Sequence, residues 1–316
     1  MGLNKNVQDF PGFKNLESLS SKAEIIAEAY SQIQSEICDI LENADGKGVF
    51  VKNKWNKEIG SGVTCVLQNG TVIEKGAVNF SNVEGEVTPD LKNIIGENAH
   101  TYCATGISSI IHPLNPFVPI IHMNVRYFLL DNGTEWFGGG IDLTPHYIDK
   151  EEASAFHKGL KEICDKYHPD YYREFKKQAD EYFYLPHRNE TRGIGGIFFD
   201  RIKPKDKENF NNILNFTFNL AKAYPEIYSG IMDKKRNDSY TDANKRWQRL
   251  RRGRYIEFNL MYDKGTKFGL KNSGNTESIL ISLPSDASWE YNFVPDAYSR
   301  EFATLQLLKK GIDWIR

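Results

Sequence analysis

The 316-residue chain is 40% hydrophobic and 26% charged, with a formal net charge of −2, the balance of an ordinary globular protein. Near-neutral charge gives no electrostatic reason for a nucleic-acid or membrane-surface partner, and no apolar run reaches the roughly 18 residues of a transmembrane helix. The chain is long enough for a sizeable core, and without internal repeat, low-complexity tract or Pro/Gly/Ser linker it reads as an extension over residues 1–19 followed by one domain over 20–316.

The opening residues, MGLNKNVQDFPGF, have neither the apolar stretch of a signal peptide nor the arginines of a transit peptide. The four cysteines (Cys38, Cys65, Cys103 and Cys164) form no Cys-x-x-Cys pair. Free thiols in a reducing compartment, the cytoplasm, are therefore expected. Aromatic residues reach 13%, with 16 Tyr and 19 Phe. They suit either a large core or a pocket for a large flat ligand.

In chain order, residues 20–43 read as a helix, because Ile26, Tyr30, Ile33, Ile37 and Ile40 recur at three- and four-residue steps. Asn69-Gly70, between two β-branched runs, signals a hairpin with a type I′ turn. Two strands follow within 106–130. A turn at Asp131-Asn132-Gly133 leads into EWFGGGIDLTPHY. Residues 150–167 and 170–184 read as helices, and 192–200 as a short glycine-rich strand. A helical stretch covers about 206–235, interrupted at Pro225. A basic helix, TDANKRWQRLRR, runs into a strand, RYIEFNLMYD. TESILISLP is a last strand, and 299–310 a final helix. Hairpin-like succession of strands with helices in blocks argues for α+β with a largely antiparallel sheet.

Strand phase locates the candidate chemistry. In 121–129, Ile121, Met123, Val125 and Tyr127 share one face, and His122, Asn124 and Arg126 the other. Read as a strand, 254–263 puts Tyr255, Glu257, Asn259 and Asp263 opposite Ile256, Phe258, Leu260 and Tyr262. Two such strands suit a polar pocket over a sheet, or a solvated outer face. Gly138, Gly139 and Gly140 suit either a ligand lying flat on the backbone or a bulge, with Asp142 just beyond. His187, Arg188 and Arg192 suit a carboxylate-binding cluster or a charged surface turn. The run GIGG lacks the spacing of a dinucleotide-binding loop.

The strings HMNVRYF (122–128), WFGGGIDLTP (136–145), EYFYLPHRNETRGIGGIFFD (181–200), WQRLRRGRYIEFNLMYDKGTKFGL (247–270) and ESILISLP (277–284), with EKGAVNFS (74–81) and DWIR (313–316), resemble the oxygen-dependent coproporphyrinogen oxidases. The resemblance runs from about residue 20 to the end. It implies a flat antiparallel sheet covered on both sides by helices, a homodimer, and a porphyrinogen in a deep cleft. It implies oxidative decarboxylation of the ring A and B propionates of coproporphyrinogen III to vinyl groups in haem biosynthesis, with O₂ as oxidant and no organic cofactor or metal. By the same resemblance His122 is the active-site histidine, and Asp142 the carboxylate holding pyrrole N–H groups. Asp263 is a second catalytic carboxylate. Ser108, Asn124, Arg126, Arg188, Arg192, Tyr255, Glu257 and Gly274 belong to substrate-binding stretches. Asp142→Asn is expected to abolish most turnover and leave folding intact.

Two positions depart from the family pattern. Ala77 replaces the second glycine of Gly-Gly-Val-Asn, and Asn275 stands where an arginine is usual. His112, His122, His157 and His187 match positions suggested as ligands for a divalent metal in some bacterial members, which is the alternative to metal-free chemistry.

Overall fold

A computed structural model describes residues 19–89, 91–92, 96–271 and 275–315. Gly274 and, apart from Leu19, the expected N-terminal extension lie outside the described residues. The order is α1 (Leu19–Asp45), β1 (Val51–Lys57), β2 (Gly60–Gln68), β3 (Ile73–Glu86), β4 (Thr101–Pro113), β5 (Ile120–Leu130), β6 (Glu135–Thr144), α2 (Lys150–Asp165), α3 (Tyr171–Tyr182), β7 (Tyr184–Leu185), β8 (Glu190–Thr191), β9 (Gly195–Ile202), α4 (Lys207–Lys235), α5 (Asp242–Met261), α6 (Lys264–Lys271), α7 (Thr276–Leu280) and α8 (Arg300–Leu307).

Among the described residues, seven strands form one sheet in the order β1-β2-β3-β4-β5-β6-β9. Every neighbouring pair is antiparallel. The α+β class with a large antiparallel sheet is thus the observed one. One sheet face carries the main core: Ile121, Met123, Val125 and Tyr127 of β5 pack with Ile26, Tyr30 and Ile33 of α1 and Phe216 and Leu220 of α4. This apolar alternation is what fixes the register, because a one-residue slip would turn the whole set toward the other face. Gln34 ties α1 down by donating to the carbonyls of Val63 and Val78, both at 2.8 Å. The opposite sheet face is only partly covered, by α5 and the segment containing α6 and α7. Between them lies a cleft.

The β2–β3 turn has Asn69 at positive φ but not Gly70, so it is not a type I′ turn. Its shape comes from Asp45, whose carboxylate accepts the amides of Gly48, Thr71, Val72 and Ile73 at 2.7–2.9 Å. A Cβ on Gly70 would sit 2.5 Å from that carboxylate. Helix α4 runs unbroken through Pro225. Tyr224, Pro225 and Tyr228 are all buried there, so packing offsets the lost amide bond. Strand β1, which the sequence reading did not anticipate, is a largely exposed edge strand rich in lysine.

The expected strands 254–263 and 276–284 are corrected to helix. Residues 242–261 form one helix, started by a Thr241–Asn244 capping box. Its buried stripe is Trp247, Arg251, Tyr255, Phe258 and Asn259, spaced by three or four residues. The apparent alternation at 256, 258, 260 and 262 is broken by Leu260, which is exposed. Residues 276–280 form a single helical turn, with Ile279 against Gly269 of α6.

Candidate active site

The cleft, of about 390 Å³, opens onto the half-covered sheet face. Its floor is built in cross-strand rows. One row runs Thr64, Asn79, Ser108, Asn124, Gly140, Phe198 across six strands, and all six line the cleft. The row beside it runs Ala77, Ile110, His122, Asp142, Gly196. On the other side lie Ser81, Gly106, Arg126 and Gly138. Period-two geometry alone puts these side chains on one face.

His122 and Asp142 are direct cross-strand partners, and His122 Nδ1 lies 2.9 Å from Asp142 Oδ1. The second oxygen, Oδ2, accepts from Arg192 Nη2 at 2.6 Å. Arg192 and Asp142 are both nearly inaccessible, with side chains 2% and 3% exposed. Arg192 also donates to Asn259 Oδ1 at 3.0 Å and lies against the rings of Phe183, Tyr255 and Phe258 at 4.5–4.7 Å. Burial pushes the Asp142 carboxyl up, but the Arg192 charge and the His122 bond outweigh it and hold it below the usual carboxylate range. Asp142 is thus an anion with both oxygens occupied. Its chemistry reaches the cleft through His122, whose Nδ1–H it fixes, leaving Nε2 as the nitrogen for proton exchange.

Arg126 reaches over the floor to Asp200 Oδ1 at 2.8 Å, both groups partly exposed. Asp263, ahead of α6, accepts the Tyr182 hydroxyl at 2.8 Å on one oxygen and the Thr266 amide at 2.6 Å on the other. It anchors the cleft wall that also brings Lys264, Gly265 and Phe268 to the lining. The ring of the same Tyr182 stacks on Phe198 at 4.1 Å.

The cleft therefore gathers Ser108, His122, Asn124, Arg126, Arg192, Tyr255 and Asp263, with Asp142 immediately behind. Arg188 and Glu257 do not join them. Arg188 closes a bidentate pair on Glu257, at 2.9 and 2.7 Å. His187 and Trp289 bond the same carboxylate, each at 2.8 Å. The reason is the helix: two residues, about half a turn, beyond Tyr255, Glu257 faces away from the cleft. Sequence reasoning missed Asn79, Thr64, Tyr182, Phe198 and Lys264. Asn79 shares the phase of Ala77 and Ser81 within the string EKGAVNFS, a signal that strand alternation alone could have used.

Glu257 carries a pH prediction. Burial raises its carboxyl, but bonds from Arg188, Trp289 and His187 bring it from 4.5 down to about 2. A depressed folded value contributes stability that is present above the unfolded value and lost as pH falls through the folded one. Glu257→Gln should therefore cost about 2 kcal/mol at neutral pH, discounted for the half-exposed Arg188. The two proteins' denaturant midpoints should converge between about pH 4.5 and 2. A gap unchanged by acid would remove the pairing as its cause.

The triple glycine serves the protein's own backbone. The β6–β9 register shifts between Phe137 and Gly139. A Cβ on Gly139 would lie 2.5 Å from Asn124 O, and one on Gly140 2.4 Å from Ile197 O. Gly140→Ala should therefore destabilise by about 2 kcal/mol in chemical denaturation. An unchanged midpoint would count against this close approach.

The four histidines considered as metal ligands are separately engaged. His112 Nε2 donates to Ser282 O at 2.9 Å. His157 bonds Tyr172 Oη and Ile194 O at 3.0 and 3.1 Å, and His187 Nδ1 bonds Tyr262 Oη at 2.8 Å. Among the described residues, no group of three or more His, Cys, Asp or Glu side chains is arranged to hold a metal ion. The departures from the family pattern also find places. The Ala77 methyl packs among Ile110, Ile120 and Tyr255. Asn275 occupies the N-cap position of α7 on the cleft lining.

Comparison with known proteins gives this site its context. The coproporphyrinogen III oxidase family profile matches residues 25–314. The mouse protein "Oxygen-dependent coproporphyrinogen-III oxidase, mitochondrial" is 44% identical over 314 residues, covering 95% of this chain and 70% of its own length. The Drosophila melanogaster "Oxygen-dependent coproporphyrinogen-III oxidase" is also 44% identical over 314 residues, covering 95% and 79%. The Francisella philomiragia protein of that name is 41% identical over 300 residues, covering 90% and 96%. Together with the antiparallel sheet and its cleft, a match of this extent means that the chain belongs to the coproporphyrinogen III oxidase family.

Proposed function

We propose that the protein catalyses the O₂-dependent oxidative decarboxylation of the ring A and B propionates of coproporphyrinogen III, giving protoporphyrinogen IX for haem synthesis. The observation that carries this reading is the cleft floor of neutral polar residues and glycine, bordered by the His122–Asp142–Arg192 chain and by Arg126. A macrocycle with N–H donors at its centre and carboxylates at its rim complements such a floor. Each propionate loses CO₂, one proton and two electrons to become a vinyl group. The electrons pass to O₂, which takes up two protons and leaves as hydrogen peroxide. The macrocycle is itself electron-rich, so the protein's share is positioning, proton transfer and charge stabilisation.

In this reading His122 moves the proton at Nε2, and Asp142 holds the imidazole in the required tautomer and supports its positive form. Arg126 and Lys264 anchor propionates as cations at the cleft edge. Ser108, Asn124 and Tyr255 shape the floor and its end wall. Asp263 fixes the wall that bears Lys264, and Arg192 keeps Asp142 ionised. Arg188 and Glu257 hold α5 in place. No metal or organic cofactor takes part. A homodimer is supported by the family resemblance and by the exposed apolar side chains Leu260 and Met261 of α5 and Leu270 of α6. A cytoplasmic location is supported by four unbridged cysteines. No helix among the described residues is long and apolar enough to cross a membrane.

The test is coproporphyrinogen III prepared under argon, mixed with protein under air or argon, with and without chelator. Products are oxidised and separated by chromatography. Air-dependent formation of a tricarboxylic intermediate and protoporphyrin, unaffected by chelator, is expected. Binding without product would make the protein a tetrapyrrole carrier, and loss with chelator would restore a metal.

A further inference from the structure

Asn79 sits in the middle of the cleft floor without a role in the chemistry above. It is the cross-strand partner of Thr64 on one side and Ser108 on the other. Its amide nitrogen donates to the carbonyl of Ser278 on α7 at 3.3 Å. Ser278 is itself held by Thr64, hydroxyl to hydroxyl, at 2.6 Å. That contact fixes which way the amide faces. The nitrogen is spent on the wall, so the oxygen is the free polar atom of a residue that lines the cleft.

This oxygen is buried and has no hydrogen-bond partner within the protein. Leaving a buried acceptor unmatched costs about 1–3 kcal/mol. Such a cost is usually met by a water or a ligand donor. The neighbouring groups narrow the donor. Ser108 and Asn124 continue the row, and Gly140 ends its polar part, so an uncharged polar strip faces the ligand, and within it the Asn79 oxygen is an unmatched acceptor. The carboxylates of a porphyrinogen would be repelled by an amide oxygen, but its pyrrole N–H groups match it. Asp142, the carboxylate expected to hold those N–H groups, has both oxygens committed to His122 and Arg192.

We infer that Asn79 Oδ1 is an N–H acceptor for the pyrroles of the bound macrocycle and helps to set its seat on the floor. This rests on the porphyrinogen reading of the cleft. The test compares two ligands with the same carboxylate periphery: coproporphyrinogen III under argon, which bears four N–H donors, and nickel coproporphyrin III, which bears none. Asn79→Leu and Asn79→Ala should each weaken porphyrinogen binding about tenfold and leave binding of the nickel complex within about twofold. Two variants of different size guard against a folding defect in one. Equal losses for both ligands would mean that Asn79 acts only by holding Ser278 and its wall, and would overturn the proposal. So would no loss for either. If wild-type protein bound neither ligand, the porphyrinogen reading itself would fail.

Discussion

Replacing Asp142 by asparagine is expected to lower turnover about a hundred- to a thousandfold. His122 Nδ1 and Asp142 Oδ1 are 2.9 Å apart on adjacent strands, and Arg192 holds the other oxygen. An amide at 142 can present NH₂ to the imidazole as readily as C=O, so the tautomer with Nε2 free is no longer enforced. It also supplies no charge to support a protonated ring. The variant should bind tetrapyrrole but react slowly. A downfield Nδ1 proton resonance from His122 in the wild type should move or vanish. Near-normal turnover, or an unmoved resonance, would dismiss the dyad. The sequence reading expected this variant to fold normally. The structure argues for a cost instead, because the asparagine leaves the Arg192 guanidinium buried without its counter-ion. A loss of about 3 kcal/mol in denaturant unfolding is expected as well. Turnover is therefore compared at equal folded fraction.

The difference between those expectations shows what the sequence could and could not reveal. The face of β5 bearing His122, Asn124 and Arg126 was legible because its other face is wholly apolar, and the period of two survives any detail of the fold. Whether that polar face met solvent or a cleft was not legible, since alternation is the same in both. Helix α5 was misread for a related reason. Its buried stripe includes Arg251, Tyr255 and Asn259, and a burial pattern written in polar residues does not register as a hydrophobic period. Its apolar Leu260 and Met261 are exposed instead. The misreading put Glu257 on one face with Tyr255, whereas the helix turns it toward His187 and Arg188. Arg188 and Arg192, four residues apart, looked equivalent in sequence. The short β7–β8 hairpin separates them. Arg188 stands at the turn beside Asn189, which has positive φ, while Arg192 lies past β8, where the chain enters the interior. Long-range pairing such as Asp142 to Arg192 has no local signature. Only the fold brings it about.

Arg192→Met should invert the way stability responds to pH. In the wild type, the Arg192 charge and the His122 bond bring the buried Asp142 carboxyl below its usual range against the pull of desolvation. Asp142 then stabilises the fold above the unfolded carboxylate value, and that contribution is lost on acidification. Methionine keeps much of the arginine stem's volume but brings no charge. Desolvation, the largest single influence on Asp142, is then opposed by His122 alone. The folded carboxyl should titrate above the unfolded one, so the group favours folding while protonated and opposes it as pH rises. At neutral pH the variant should be less stable by about 3–5 kcal/mol, the cost of a buried charge without its partner. That deficit should shrink on acidification toward pH 4, where the wild type is weakening. Turnover should follow the carboxylate, with its acid limb moved to higher pH because His122 is oriented only while Asp142 is ionised. Denaturant midpoints and rate profiles across pH 4–9 test both. Parallel stability curves with an unmoved acid limb would mean that Arg192 does not govern the ionisation of Asp142, and the chain from Arg192 through Asp142 to His122 would lose its first link.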